Sequence, residues 1–223
     1  MPDRKKALAA KGAEMLVDGG LAFATGVIAQ GVIEEGIAEI IRRSPGNASL
    51  LANKSDVLFK LERYDEALEA ARKATESDPD FLNGWACMGN ILGGMKRYDE
   101  AVAAYDRALK IRPGSLAALV NKAITLTTMG SNDMAVAVLD TASSFSPNNA
   151  MILTCKARAL ALSGKEREAM DSVDQALGVN TNYPNAWRVK GDIYFISGYK
   201  AQSDSCYDKF KELGGEAKLI FME

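Results

Sequence analysis

Histidine is absent from the chain, and with it the commonest general base and metal ligand at neutral pH. Cysteine occurs three times, at Cys87, Cys155 and Cys206. An odd number at wide spacing matches neither a disulfide framework nor a zinc site. With no histidine to activate a thiol, the three read as small packing residues in a reducing compartment. Two acidic pairs, Asp65-Glu66 and Asp99-Glu100, are the right residue type for acid–base work. Both sit at the expected start of a helix, where negative charge complements the macrodipole, so they read as structural. The sequence holds no phosphate-binding loop, nucleophile elbow or metal-ligand cluster. The expectation is therefore no catalytic residue, no metal, no cofactor and no enzyme activity.

Charge narrows the partners. The net charge is -2, with lysines and arginines scattered among carboxylates. No basic stripe could track a phosphate backbone, which argues against nucleic acid. The weakly charged stretch from Gly19 to Ile33 is too short to span a bilayer and holds four glycines. Asp3, Glu14 and Asp18 precede it and no clear cleavage site follows, a poor match to a signal peptide. The expected compartment is the cytoplasm, with no membrane partner.

The elements that position these groups follow from a repeat. Trp85 and Trp187 are 102 residues apart, three times 34. Pro79, Pro113 and Pro147 are spaced by 34, and Arg63-Tyr64-Asp65-Glu66-Ala67 returns as Arg97-Tyr98-Asp99-Glu100-Ala101 at the same interval. With Trp85 as the fourth slot, five units follow without a slip: 48–81, 82–115, 116–149, 150–183 and 184–217. Slot four holds Leu51, Trp85, Leu119, Leu153 and Trp187, and slot eight the small residues Ser55, Gly89, Ala123, Ala157 and Gly191. Slot eleven is Leu58, Leu92, Leu126, Leu160 and Tyr194. Slots four, eight and eleven share one helical face, as do twenty, twenty-four and twenty-seven. Each unit is thus two amphipathic helices joined by a short turn. Small residues at slots eight and twenty let them approach, and the proline near slot thirty-two ends the second.

This pattern resembles the tetratricopeptide repeat, a 34-residue helix-turn-helix unit. The match is best in 82–115, where Trp85, Met88-Gly89, Ala101, Tyr105, Ala108 and Pro113 are in register. The resemblance implies an all-α fold, a right-handed solenoid of antiparallel helix pairs. Slot seven departs from the family: it is lysine at Lys54, Lys122, Lys156 and Lys190, whose stems can lie along apolar surface. Thr181 and Gly215 replace the terminal proline. Upstream, Pro45 stays in phase, and Ile33, Ile37 and Ile40 fall on second-helix slots. Residues 1–47 are therefore expected to form a helical cap with a degenerate repeat. Residues 218–223 form an apolar tail.

The resemblance implies a concave groove for a peptide or helix of another protein, lined by slots two, five, nine and twelve of the first helices. The candidate residues are Ala52, Asp56, Phe59, Asn83, Ala86, Asn90, Val120, Ile124, Thr127, Thr154, Arg158, Arg188, Asp192 and Phe195. These slots lie opposite the helix-pair core, so Val120 and Ile124 are expected as an exposed apolar surface. Arg158 and Arg188 could grip a carboxylate. The protein's own N-terminal segment is an alternative occupant. Some family members clamp the acidic C-terminus of chaperones. Asn90 and Asn121 match that pattern, but Ala86, Met151 and Cys155 stand where it needs cations, so this binding is not expected. A second reading is self-assembly as a homodimer through the last helix. Phe210 there replaces the usual alanine, and Leu219, Ile220 and Phe221 follow in the tail.

Overall fold

A helix pair buries its apolar stripes only if the turn between its helices reverses the chain sharply. In the computed structural model, which describes residues 46–215, the same device does this five times. The first helices are α1 (Ala48–Lys60), α3 (Leu82–Gly94), α5 (Leu116–Thr128), α7 (Ala150–Leu162) and α9 (Pro184–Ile196). The second helices are α2 (Tyr64–Ser77), α4 (Tyr98–Ile111), α6 (Asn132–Phe145), α8 (Glu166–Val179) and α10 (Lys200–Glu212). Slot fifteen, just past each first helix, is left-handed at Glu62, Lys96, Gly130, Gly164 and Gly198. The next residue then donates its N–H back to slot eleven, a six-to-one helix stop: Arg63 to Leu58, Arg97 to Leu92, Ser131 to Leu126, Lys165 to Leu160 and Tyr199 to Tyr194, at 2.8–3.0 Å. Asn47 and Asn149 cap α1 and α7 by accepting from backbone N–H groups of the first turn.

The chain divides into two compact units, one ending at Ile111 and one beginning at Arg112. In the first, α1 pairs with α2 and α3 with α4, while α3 also packs on α1 and α2. In the second, α5/α6, α7/α8 and α9/α10 are the pairs, and α5, α7 and α9 lie side by side. The fold is an all-α solenoid of helix pairs, with no strand among the described residues. The expected cap over 1–47 lies outside the described residues except for Gly46 and Asn47, and the tail 218–223 lies wholly outside them.

The slots pack as their sizes require. Ala67, Ala101, Ala135 and Ala169 at slot twenty are fully buried. Ser203 takes the same slot in the last pair, and its hydroxyl donates to the Gly191 carbonyl at 2.9 Å. Gly89 and Gly191 lie beneath the rings of Tyr105 and Tyr207, where an added Cβ would stand 2.5 and 2.9 Å from ring carbons. Trp85 Nε1 donates to the Pro79 carbonyl at 2.8 Å, and Trp187 Nε1 to that of Thr181 at 2.7 Å. The acceptor at slot thirty-two is a backbone oxygen, so Thr181 serves as well as proline.

The slot-seven lysines do more than lay their stems along apolar surface. Lys156 reaches Asp140 on α6 at 2.6 Å, and Lys190 reaches Asp174 on α8 at 2.7 Å. Each joins one repeat to the second helix of the repeat before it. Burial pulls most strongly on the Lys190 ammonium, but the hydrogen bond and charge of Asp174 carry it above its usual value. Asp106, Asp140, Asp174 and Asp208 recur at slot twenty-five, so the acceptor's period was present in the sequence.

Candidate functional site

Side-by-side first helices create two kinds of position on the groove face. Slot five points between neighbouring helices, and slots two and nine flank it on the open side. Val120, at slot five, is 3% exposed, against the expectation of an exposed aliphatic. A position outside the helix-pair core is still packed when the adjacent first helix covers it, as α7 flanks α5. Ala52 and Thr154 at the same slot are also buried, as is Thr127 at slot twelve. The hydroxyls of Thr127 and Thr154 are satisfied within their own helices, by the carbonyls of Ala123 and Ala150. Where slot five is Ala52, Val120 or Thr154 the groove floor is therefore packed and offers no free polar group, whereas Arg188 brings a charge to the same slot.

In the first unit the walls are mostly engaged. Asp56 pairs with Lys60 at 2.6 Å. Phe59 stacks at a tilt against Tyr64, 5.8 Å between centroids, and its ring edges against Gly94. Asn90 accepts the Tyr105 hydroxyl at 2.8 Å. Asn83 is exposed and Ala86 half-buried, and neither offers a charge.

In the second unit a depression of about 190 Å³ opens across three first helices. From α5 come Ala123, Ile124 and Thr127; from α7, Met151, Thr154, Cys155 and Arg158; from α9, Asn185, Arg188 and Val189, with Tyr183 just before it. Ile124 and Met151 are each 41% exposed, an apolar wall open to solvent. Arg158 on α7 and Arg188 on α9 line the same depression. Five of the fourteen sequence-derived groove candidates meet here: Ile124, Thr127, Thr154, Arg158 and Arg188. Phe195 does not line it and stands 69% exposed at the end of α9.

Behind the arginines is an arrangement the sequence reading did not assemble. Tyr207 on α10 donates its hydroxyl to Asp192 Oδ1 at 2.7 Å. Asp192 lies within electrostatic reach of both guanidiniums. Burial raises its carboxyl above the usual range, outweighing the Tyr207 hydrogen bond and the two positive charges. Burial, reinforced by Arg188, lowers the Arg158 guanidinium from its ordinary value. The Tyr207 phenol is pushed up to about 12, first by burial and then by its bond to Asp192. Arg188 Nε and Asp192 Oδ2 are both shielded from solvent and have no hydrogen-bond partner. Tyr207 could have been found, because it stands 102 residues after Tyr105 in the same slot and bonds slot nine in the same way.

The open-end expectation changes too. Phe210 is 6% exposed, so its ring is no free surface for a second copy. Gly214 is left-handed, Gly215 donates back to the Phe210 carbonyl at 2.9 Å, and Gly215 then covers the ring. Leu219, Ile220 and Phe221 lie outside the described residues. The three thiols are all shifted upward by burial, which suppresses thiolate. Among the described residues no group of histidine, cysteine or acidic side chains could hold a metal ion. Also among them, no helix is long and apolar enough to cross a membrane.

Comparison with known proteins agrees with this geometry. Models described as "Tetratricopeptide repeat" match residues 48–81 and 83–115. No curated protein sequence matches the chain. Among solved structures, PilF of Pseudomonas aeruginosa is 16% identical with a TM-score of 0.69, over 95% of this chain and 92% of that one. MamA of Desulfovibrio magneticus, from residue 41 to its end, is 19% identical with a TM-score of 0.63, over 77% and 97%. YrrB, described as a tetratricopeptide repeat protein with an unusual peptide-binding site, is 18% identical with a TM-score of 0.60, over 81% and 93%. At these identities the structures speak to fold alone. Two matching repeat models, five helix pairs at a constant 34-residue interval and these neighbours make the chain a tetratricopeptide repeat protein.

Proposed function

We propose that this chain is a protein-interaction scaffold without catalysis of its own, holding a segment of a partner protein in the groove of its second unit. One observation carries the reading. Exposed Ile124 and Met151 share one depression with Arg158 and Arg188. Exposed apolar side chains beside two guanidiniums in one depression make a recognition surface. The structural neighbour described as having a peptide-binding site supports the same use of the fold. A cytoplasmic setting belongs to this proposal and is supported by three free thiols.

The test is affinity capture from cell extract with the full chain and with Ile124→Asp and Arg158→Glu variants. Proteins retained by the intact chain should be lost from both variants. Recovery of the same proteins by all three would place the interaction elsewhere.

A further inference from the structure

The second unit places Arg158 and Arg188 in the lining of its groove, with Asp192 within electrostatic reach of both. Burial, with Arg188 beside it, lowers the Arg158 guanidinium. Arg188 Nε is shielded from water and has no acceptor. An unsatisfied buried donor on a charged group is costly, and a structure that keeps one is poised to bond something it does not yet hold. Asp192 cannot fill the role, because its own Oδ2 also lacks a partner while Oδ1 is engaged by Tyr207.

We infer, resting on the groove reading above, that the ligand is an extended acidic peptide. One Asp or Glu side chain sits on Arg158 and Arg188, and an adjacent aliphatic or aromatic side chain lies on Ile124 and Met151.

Three features favour this chemistry. A guanidinium fork matches a carboxylate in two parallel hydrogen bonds, and Arg188 Nε has a donor to give. Ile124 and Met151 line the same depression, so one peptide segment can reach both. The cations that a C-terminal clamp needs are absent here, where Met151 and Cys155 stand in their slots, so the carboxylate is a side chain rather than a C-terminus. Three first helices spaced by about 9 Å give a lining of roughly 18 Å, enough for five or six extended residues. The peptide therefore runs through the site.

The first unit lacks this arrangement. Its slot nine is Asn90 rather than Asp192, and slot five there is Ala86 rather than Arg188. The same tyrosine hydrogen bond is made without a charge to balance.

The experiment passes a library of amidated heptapeptides over the immobilised full chain. The central position is an equal mixture of Glu and Gln, and the remaining positions are random. Retained peptides are sequenced. The Glu-to-Gln ratio should rise about tenfold or more, with Leu, Ile, Met or Phe enriched beside the centre. Arg188→Gln should return the ratio to one while leaving the apolar enrichment, which also shows that the variant is folded. Arg188→Lys should recover only part of it, because the ammonium keeps the charge but loses the fork. An equal ratio with the intact chain, or an enrichment that survives Arg188→Gln, overturns the inference. So does retention of a parallel free-acid library with Gln at the centre in preference to its amidated twin, which assigns the carboxylate to a chain end. Failure of the groove reading is separate: Ile124→Asp would then leave the apolar enrichment unchanged.

Discussion

The two units share one frame and differ in what they leave unsatisfied. Tyr105 over Gly89, bonded to Asn90, and Tyr207 over Gly191, bonded to Asp192, are the same three slots 102 residues apart. In the first unit the contact is neutral and half-buried. In the second it is likewise half-buried, but the acceptor is a carboxylate beside two arginines. The turns differ in the opposite sense. All three left-handed turn positions of the second unit are glycine, whereas the first unit places Glu62 and Lys96 there. The second unit thus has relaxed turns and a charged, unsatisfied groove, and the first has strained turns and a groove occupied by its own contacts. A constant repeat carries function where side chains in repeated slots stop compensating each other.

That contrast can be broken by mutation. The largest effect is expected from filling slot eight. Gly89→Ala puts a methyl group 2.5 Å from the Tyr105 ring, and overpacking of this kind costs about 1–3 kcal/mol. Gly191→Ala, at 2.9 Å from a less buried ring, should cost less. Urea unfolding of the full chain measures both, and equal losses would mean that the two sites pack alike.

Removing the tyrosine hydroxyls comes next. Tyr105→Phe gives up a neutral hydrogen bond, worth about 1 kcal/mol. Tyr207→Phe leaves a buried carboxylate with no hydrogen bond at all and should cost more, about 1.5 kcal/mol after allowance for partial exposure. If Tyr207→Phe is the milder change, Asp192 is better compensated by the arginines than its raised carboxyl implies.

Turn chemistry gives a smaller change of opposite sign in the two units. Lys96→Gly relieves a left-handed lysine and should stabilise by about 1 kcal/mol, while Gly164→Ala should destabilise by a similar amount. Thermal melts of the two variants decide it.

The smallest signal is in alkali. The Tyr207 phenol titrates near 12 when folded and near its ordinary 10 when unfolded. Between these values the folded state holds the proton that the unfolded state has lost, so the contribution of Tyr207 to stability falls as pH rises from about 10. The stability difference between the intact chain and Tyr207→Phe should shrink over that window, and a constant difference would contradict the raised phenol.

Much of the fold was legible because it depends on periodicity. Slots four, eight, eleven and twenty name the buried face from residue type alone. The slot-fifteen turn was harder to see, since Glu62 and Lys96 hide a glycine position that only the backbone angle reveals. The groove was legible in part. Ile124, Arg158 and Arg188 follow from their slots. The burial of Val120 does not, because it depends on the neighbouring first helix and not on the periodicity of its own. The grouping of Arg158, Arg188, Asp192 and Tyr207 draws on three helices of two successive repeats. A pattern read within one unit cannot show it.

The central claim, that the second unit's groove and not the first's receives a partner, is tested most directly by methyl NMR. The full chain, labelled at isoleucine and methionine methyl groups, is titrated with an amidated peptide carrying Leu beside Glu. The account predicts shifts at Ile124 and Met151, with Met88 and Ile91 of the first unit unmoved. Shifts at Met88 or Ile91, with Ile124 and Met151 unchanged, would contradict it.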